Sequence, residues 1–294
     1  MAVSKKIVLL SIMFVMGTVN YIYALDYKRL HQEADDRNLA EAELAVERMP
    51  QSLEDLYILG LVYLNKHKDE EAKEVFEEIE KLNPEITQVK WAIAEVLRRQ
   101  HKLKKSEKIL RETLKSLPDF APVYISYAYI KYNQFNYLQA LNFANVVIKK
   151  GLGTADLTSY VRAHLIVGGA KGMLAHYGGP LAKIRHGLGA FSYLEKAERL
   201  KPDFAEVNFG IGAFYLLAPA VIGGDLDKSL EYLEKAVNRD PLLADAYVRL
   251  AQVHKRKGNN EAYQRYLNKA LAIDPANELA VDIKSRKCNF ICFN

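Results

Sequence analysis

The residues best able to do chemistry are seven histidines and two cysteines, and their spacing argues against catalysis. Such side chains hold a metal or act as nucleophiles only when several converge. His164, His176 and His186 share one stretch, but no acidic residue lies between Asp156 and Glu195. Neither a His-Glu-x-x-His spacing nor a Gly-x-Ser-x-Gly elbow occurs. The sequence therefore predicts a protein without enzyme activity, cofactor or metal, and a metal site on these three histidines is the minor alternative.

Clusters of glycine could cradle a phosphate, but the order that this chemistry requires is missing. A phosphate-binding loop needs Gly, four residues and then Gly-Lys-Ser/Thr after a strand. Residues 168–172, with the sequence GGAKG, lack that order and sit in helical sequence. The glycines instead favour close helix crossings or turns with positive backbone angles. Asp225, which follows Gly223 and Gly224, is typical of a helix N-cap.

Composition describes a folded protein of modest charge. The 294 residues are 50% apolar and 26% charged, which are ordinary values for a chain that forms a core. The formal net charge is only +5. Such a small excess argues against nucleic acid as the partner.

The amino terminus has the pattern of a targeting segment. Lys5 and Lys6 form a short basic start, and residues 7–16 are almost unbroken apolar sequence. Cleavage after Ala24 would make 1–24 a signal peptide. The alternative is an uncleaved anchor, because the apolar stretch just reaches spanning length. Both interpretations predict export, either into the periplasm or to the inner membrane with the body facing the periplasm.

Regularly spaced prolines divide the chain into repeats. Pro50, Pro84 and Pro118 are 34 residues apart, as are Pro241 and Pro275. Between them, apolar residues recur every three or four positions, which indicates amphipathic helices. From Pro84 onward, a large apolar residue stands eight positions before each closing proline, and a small one usually stands twelve before it. Each unit is therefore predicted to be two antiparallel helices in close contact, the second of which ends before the proline.

These units resemble the tetratricopeptide repeat. The clearest copy covers 53–86, with Leu56, Leu59, Gly60, Tyr63, Ala72, Phe76 and Pro84 in the family's places, and another covers 244–277. The resemblance implies an all-α fold, a right-handed α-α superhelix of helical hairpins. The predicted divisions are a leader (1–24), a degenerate first repeat (25–52), three repeats (53–154), two repeats with glycine-rich insertions (155–241), one more repeat (242–277), and a capping helix and tail (278–294).

Two units are longer than the others. The unit over 155–204 carries roughly sixteen extra residues and the next carries about five, around 217–225. Insertions into a stacked array emerge as loops, because the interfaces between helices are already occupied. Since the two units are neighbours, we expect their insertions to meet in space.

The resemblance also implies a groove for a protein or peptide, lined by the first helix of each unit. Trp, Tyr and Arg, which are enriched at binding hot spots, stand at several groove positions. The predicted groove residues are Tyr57, Leu61, Leu64, Asn65, Trp91, Glu95, Arg98, Arg99, Ile125, Tyr129, Tyr132, Asn133, Val248, Gln252, Lys255 and Arg256. The alternative for any single one is packing between neighbouring helices.

Two further features leave alternatives open. Residues 98–115 hold eight basic side chains against two acidic ones. Such a patch suits an acidic partner or anionic lipid, and hence peripheral membrane association, but ordinary solvated helix faces are the favoured explanation. Cys288 and Cys292 predict a small disulfide ring or a link between chains, unless the apolar tail lies back over the last repeat.

The sequence thus predicts a non-enzymatic exported scaffold that binds a protein or peptide in its groove. The alternative is an accessory component of a periplasmic solute transporter of the TRAP type, which handles a small ligand or docks a solute-binding protein. Components of that type carry a comparable Gly-Gly-Asp insert, which resembles residues 223–225 ahead of Leu230, Leu233 and Ala236.

Overall fold

The computed structural model describes residues 26–285, which are helical throughout and contain no strand. The predicted leader 1–24 and both cysteines lie outside these residues. Eight helices precede the first long unit: α1 Tyr27–Asp36, α2 Leu39–Arg48, α3 Leu53–Asn65, α4 Asp69–Leu82, α5 Thr87–Arg99, α6 Leu103–Ser116, α7 Ala121–Asn133 and α8 Tyr137–Thr154. The remainder are α9 Leu157–Tyr177, α10 Pro180–Ala182, α11 Ala190–Leu200, α12 Ala205–Leu217, α13 Leu226–Arg239, α14 Ala244–Arg256, α15 Asn260–Ile273 and α16 Glu278–Ser285.

Successive helices pair into hairpins that stack into a solenoid, so the prediction of an all-α solenoid is confirmed. The pairs α3–α4, α5–α6, α7–α8, α12–α13 and α14–α15 pack along their lengths, and α9 pairs with α11. Each hairpin also packs on the next, as α4 does on α5 and α13 on α14. Stacking is necessary because one hairpin cannot bury its apolar face alone.

Close contact within a hairpin depends on a small residue opposite a large one. A Cβ atom added to Gly60 of α3 would lie 2.5 Å from the ring of Phe76 on α4. At Gly212 of α12 it would lie 2.7 Å from Leu233 on α13. The helix backbones therefore approach more closely than any side chain at these glycines would allow, which is what the repeat pattern predicted.

The turns inside the hairpins adopt the left-handed conformation at equivalent positions. His67, His101 and Phe135 follow one another at the repeat spacing and have φ of 57°, 57° and 60°. A left-handed residue after a helix lets the following backbone N–H groups return to its last carbonyls, as Lys68 N–H does to Tyr63 O at 2.9 Å. The two histidine turns are therefore alike because both residues hold the same structural position in successive repeats.

The two insertions replace simple turns by longer, well-defined loops. The first insertion (residues 178–189) begins with α10 and continues in a π-helical turn over Lys183–Gly187. The second insertion (residues 218–225) contains one turn of 3-10 helix. A Cβ at Gly178 would lie 2.3 Å from the Ala182 Cβ, and one at Gly224 would lie 1.9 Å from the Ala218 oxygen. Glycine is therefore required where each loop closes on itself.

Helix α1 crosses the concave side of the solenoid. The Tyr27 hydroxyl donates to the Thr154 oxygen at the end of α8, 2.6 Å away. At its other end, Asp35 accepts hydrogen bonds from Lys201 at 2.8 Å and from Thr158 on α9. Both α1 and α2 pack on α3. The division of 25–52 as a repeat stays a prediction, while these contacts place α1 across the inner surface of the following hairpins.

Among residues 26–285, no helix combines the length and the apolar character that a membrane span requires.

We predict that Gly60→Ala destabilises the fold, because the new methyl group would overlap the Phe76 ring. The free energy of unfolding should fall by about 1–3 kcal/mol, the usual range for overpacking, as measured by urea denaturation. Gly172→Ala on α9 is the matched control, since nothing lies within 4 Å of its added Cβ. That control should be neutral or up to about 1 kcal/mol more stable. Equal effects at both glycines would contradict the packing argument.

Candidate functional site

The curl of the solenoid encloses a cavity of about 2060 Å³, here called the central cavity. The inner helices α5, α7, α9, α12 and α14 contribute to its wall, and both insertions do so as well. Part of the wall is charged and aromatic, whereas another part is mainly apolar.

A buried carboxylate organises the first part of the charged wall. Glu95 on α5 receives hydrogen bonds from Arg98 at 2.6 and 2.9 Å and from the Ser126 hydroxyl at 2.8 Å. Arg99 adds a longer contact to Glu95 and donates to the Leu64 oxygen at 2.7 Å. Burial opposes ionisation, but the two guanidinium groups outweigh it and lower the pKa of Glu95 to about 2. The site therefore contains a permanent, fully paired anion.

A second ion pair lies beside the first on the cavity wall. Arg162 on α9 binds Glu206 on α12 through contacts of 2.6, 3.0 and 3.1 Å. The Tyr129 hydroxyl donates to the same carboxylate at 3.0 Å, and the Arg98 guanidinium lies 5.0 Å from the Tyr129 ring centre. Burial favours the protonated form of Glu206, but Arg162 lowers its pKa below the usual value. Tyr129 thus joins the two pairs into one network.

Sequence reasoning missed Arg162 and Glu206. Both stand on the first helices of the two long units, at which no groove position was assigned. They could have been found by extending the groove register of α5 and α7 into α9 and α12, because the same inner face continues there.

The apolar part of the wall comes mainly from the two long units. Leu165 of α9 faces Gly210 of α12, where an added Cβ would lie 3.3 Å from the leucine. Residues further along both helices continue this surface, with Met173, Phe209, Phe214 and Leu217 on the wall. Leu188 of the first insertion and Ile222 of the second line the same cavity. The insertions, expected to meet, thus converge on one space.

Two histidine turns connect the amino-terminal hairpins to the carboxyl-terminal ones. His67 lies 2.8 Å from Asp240, and His101 lies 3.0 Å from Glu278 and 3.2 Å from Asp274. In both histidine–aspartate pairs the partners are 173 residues apart in the sequence. The second contact is therefore the first one displaced by one repeat. We call these contacts the clasp. It lies at the edge of the central cavity, and it closes the solenoid across its concave side.

Protonation controls the strength of the clasp. Hydrogen bonds from His101 to Asp274 and Glu278 raise its pKa to about 10. Burial favours the neutral acid at Asp274, but His101 lowers the Asp274 pKa below the usual value. At neutral pH the imidazolium and the carboxylates are therefore charged and attract each other.

The predicted groove residues separate into three groups. Those on the wall of the central cavity are Leu64, Asn65, Glu95, Arg98, Arg99, Tyr129, Tyr132, Asn133 and Arg256. A smaller cavity beside α1 is lined by Leu61, Trp91 and Ile125. Neither cavity includes Tyr57, Val248, Gln252 or Lys255. A role in partner binding stays a prediction for the residues of all three groups.

Tyr57 and Trp91 are core residues rather than groove residues. Tyr57 is fully buried, and its hydroxyl lies 3.2 Å from the His31 ring nitrogen on α1. The Trp91 ring packs 5.3 Å from His31, and its N–H donates to Ser126 at 3.0 Å. Helix α1 covers the surface that the repeat pattern leaves open. Truncation of Trp91 would therefore disturb folding as well as binding.

Other predicted features have equally clear positions. Gln252 is buried and accepts a hydrogen bond from Arg249 at 2.7 Å. In the basic stretch 98–115, Arg98 and Arg99 turn inward to carboxylates, whereas Lys104 and Lys105 are exposed on α6. This stretch is therefore divided between the charged wall and a solvated helix face.

His164, His176 and His186 are not brought together as metal ligands. His164 is buried beside the rings of Tyr160 and Tyr193, and burial lowers its pKa to about 4. In the described part of the chain, no group of three or more His, Cys, Asp or Glu side chains is arranged to hold a metal ion.

A solenoid of helical hairpins with small-against-large contacts defines the helical-repeat class of proteins. The tetratricopeptide repeat model matches residues 56–86 and 244–277. The chain therefore carries tetratricopeptide repeats, which confirms the resemblance seen in the sequence.

Solved structures agree with this fold. The chain is similar to a tetratricopeptide repeat protein from Parabacteroides merdae ATCC 43184, with 14% identity, a TM-score of 0.52, and coverage of 89% of this chain and 97% of that one. It is also similar to a chain of the APC/C hetero-tetramer Cut9-Hcn1, with 16% identity and a TM-score of 0.52. The match covers 89% of this chain and 46% of that one. The match thus spans about half of that second protein. At these identities the likeness shows the fold alone. No curated protein matches the sequence.

We predict that the His101 contacts of the clasp stabilise the protein most between about pH 4, where Asp274 is ionised, and pH 6.5, and progressively less up to pH 10. A histidine whose pKa rises on folding contributes fully while it is protonated in both states, and this contribution is lost as pH passes the folded pKa. His101→Gln should lower the free energy of unfolding by on the order of 1 kcal/mol at pH 6, because water screens a partly exposed pair.

Urea denaturation at pH 6 and pH 10.5 measures the difference in the free energy of unfolding between His101→Gln and the wild type. His186→Gln is the control, because His186 lies outside the clasp. A double-mutant cycle with Asp274→Asn should show coupling at pH 6 and little at pH 10.5. Coupling that does not change with pH would contradict the assignment.

Proposed function

We propose that this protein is an exported, non-enzymatic scaffold that binds a segment of a partner protein in the central cavity. The observation that carries the proposal is the size and composition of that cavity. Its volume of about 2060 Å³ is about twice the upper end of the usual range for small-molecule sites, about 1,000 Å³. A peptide segment matches such a space better than a metabolite does.

The charged and the apolar parts of the cavity wall suit the backbone and the apolar side chains of a peptide, respectively. Tyr132 and Asn133 border the charged network and offer hydrogen-bonding groups to a backbone. The apolar part of the wall, with Phe209, Phe214 and Leu217, offers apolar surface to side chains. Because Glu95 and Glu206 are paired with arginines, the charged wall is held in place before a ligand arrives. A preorganised wall lowers the entropy lost on binding.

Comparison with other proteins supports this use of the fold. One structure of the same fold belongs to the APC/C hetero-tetramer Cut9-Hcn1, so the fold accommodates binding to another chain in that protein. Export rests on residues 1–24, whose basic start and apolar run are typical of a signal peptide. The periplasm is the destination that we propose.

A second candidate function is small-ligand handling as an accessory component of a TRAP-type solute transporter. The convergence of both insertions on one apolar wall favours it, because Leu188, Val221 and Ile222 line the same cavity as Phe214. In this alternative the cavity would hold an apolar small molecule or receive one from a docked solute-binding protein.

We predict that Ala213→Trp blocks binding. Ala213 lies on the cavity wall of α12 and is partly exposed, so an indole there would occupy the cavity without removing any charged contact. Capture from an envelope extract with the full chain as bait should recover a protein that the variant loses. A peptide from the captured protein, titrated by fluorescence anisotropy, should bind the variant at least about tenfold more weakly, a loss of about 1.4 kcal/mol.

Ala40→Trp on α2 is the matched control, because Ala40 is exposed and lies away from the cavity wall. It should bind like the wild type, and circular dichroism should show equal helix content in all three proteins. Equal capture by Ala213→Trp and wild type would overturn the proposal. A small molecule found by mass spectrometry in purified wild type and lost from Ala213→Trp would instead establish the second candidate.

A further inference from the structure

The first insertion exposes an apolar helix face. Leu181, Ile184 and Leu188 are spaced by three and four residues, which aligns side chains along one side of a helical turn. Leu181 and Leu188 are 77% and 75% exposed. In an ordinary surface helix this face would turn to the core. Here the face is turned to the outside.

The second insertion adds apolar tips at the same opening. Val221 is 92% exposed and Ile222 is also exposed, yet both line the central cavity together with Leu188. Residues that are both exposed and on the cavity wall stand at its rim. Both insertions therefore carry exposed apolar residues beside the cavity. We call this set the rim patch: Leu181, Ile184, Leu188, Val221 and Ile222.

Two cations accompany the apolar residues of the first insertion, and no acidic residue stands near them in the sequence. Lys183 and Arg185 are exposed between the apolar residues of the first insertion. No acidic residue lies between Asp156 and Glu195. At the second insertion, Asp225 caps α13 by accepting from the N–H groups of residues 227 and 228, and Asp227 pairs with Lys257. The carboxylates of the second insertion are thus already engaged.

We propose that the rim patch docks the protein on an anionic lipid surface, with its apolar tips entering the acyl boundary. This inference goes beyond the proposed function. Exposed apolar side chains flanked by lysine and arginine are the composition that binds at membrane interfaces, since the cations meet lipid phosphates. Protein interfaces, by contrast, are depleted of lysine. The exposed lysines of α6 lack such apolar neighbours, so the basic stretch 98–115 is not the docking surface.

Bromolipid quenching of tryptophan tests the inference in the full chain. Leu188→Trp and Val221→Trp place a probe in each insertion, and the buried native Trp91 gives a constant background. Vesicles contain phosphatidylcholine with or without phosphatidylglycerol, and with or without bromine on the acyl chains. We expect both probes to be quenched by brominated vesicles that contain phosphatidylglycerol. Leu82→Trp, at an exposed leucine of α4, should not be quenched.

Charge reversal supplies a second, matched comparison. In the Leu188→Trp background, we expect the double variant Lys183→Glu, Arg185→Glu to need at least about tenfold more lipid for half-quenching. The reason is that each lysine or arginine adds its own attraction to the anionic lipid. Lys104→Glu with Lys105→Glu makes the same charge change on α6, and this variant should leave the lipid concentration for half-quenching unaltered. All variants share residues 1–25, so anchoring by that segment would affect them equally. Quenching at residues 188 and 221 no greater than at residue 82 would overturn the inference.

Discussion

The close contact between the two helices of each hairpin is the constraint on which the rest of this structure depends. Gly60 against Phe76 and Gly212 against Leu233 bring helix backbones together at a distance that only a missing side chain permits. That approach fixes the thickness of these hairpins, and each hairpin is stacked on the last with a small rotation. Summed along a stack, such rotations give a curved array with a concave side. The central cavity is the space that this curvature encloses.

Curvature also explains why the inner surface contains buried charge. Arg98, Arg162 and their carboxylates lie on the first helices α5, α9 and α12, where they line the cavity and are mostly shielded from water. An isolated ion at that depth would be costly, whereas a paired and hydrogen-bonded one is tolerated. Tyr129 links the two pairs, so the wall behaves as one unit. A wall of this kind is ready for a partner, because its side chains are already ordered.

The same curvature brings remote parts of the chain together. Helix α1 reaches the end of α8 and the start of α9, and His67 and His101 meet carboxylates of the last hairpins. Helix α1 covers the inner surface near Trp91, while the clasp closes one edge of the cavity. What stays accessible is the space between the charged network and the insertions. The rim patch stands at that opening, so docking at a lipid surface would place the binding cavity next to the membrane.

The sequence by itself determined the features that depend on near neighbours. Hairpin boundaries, the small-against-large pairs, the positions of both insertions and the equivalent histidine turns all follow from repeat spacing, because each hairpin contacts only the next. Tertiary structure alone decided which inner residues face open space. Tyr57 and Trp91 fit the groove pattern, yet α1 buries them. The clasp joins residues 173 apart, and no local pattern encodes such contacts. These contacts depend on the total curvature of the solenoid. That curvature is the sum of the small rotations between hairpins, so it is complete only when the whole chain has folded.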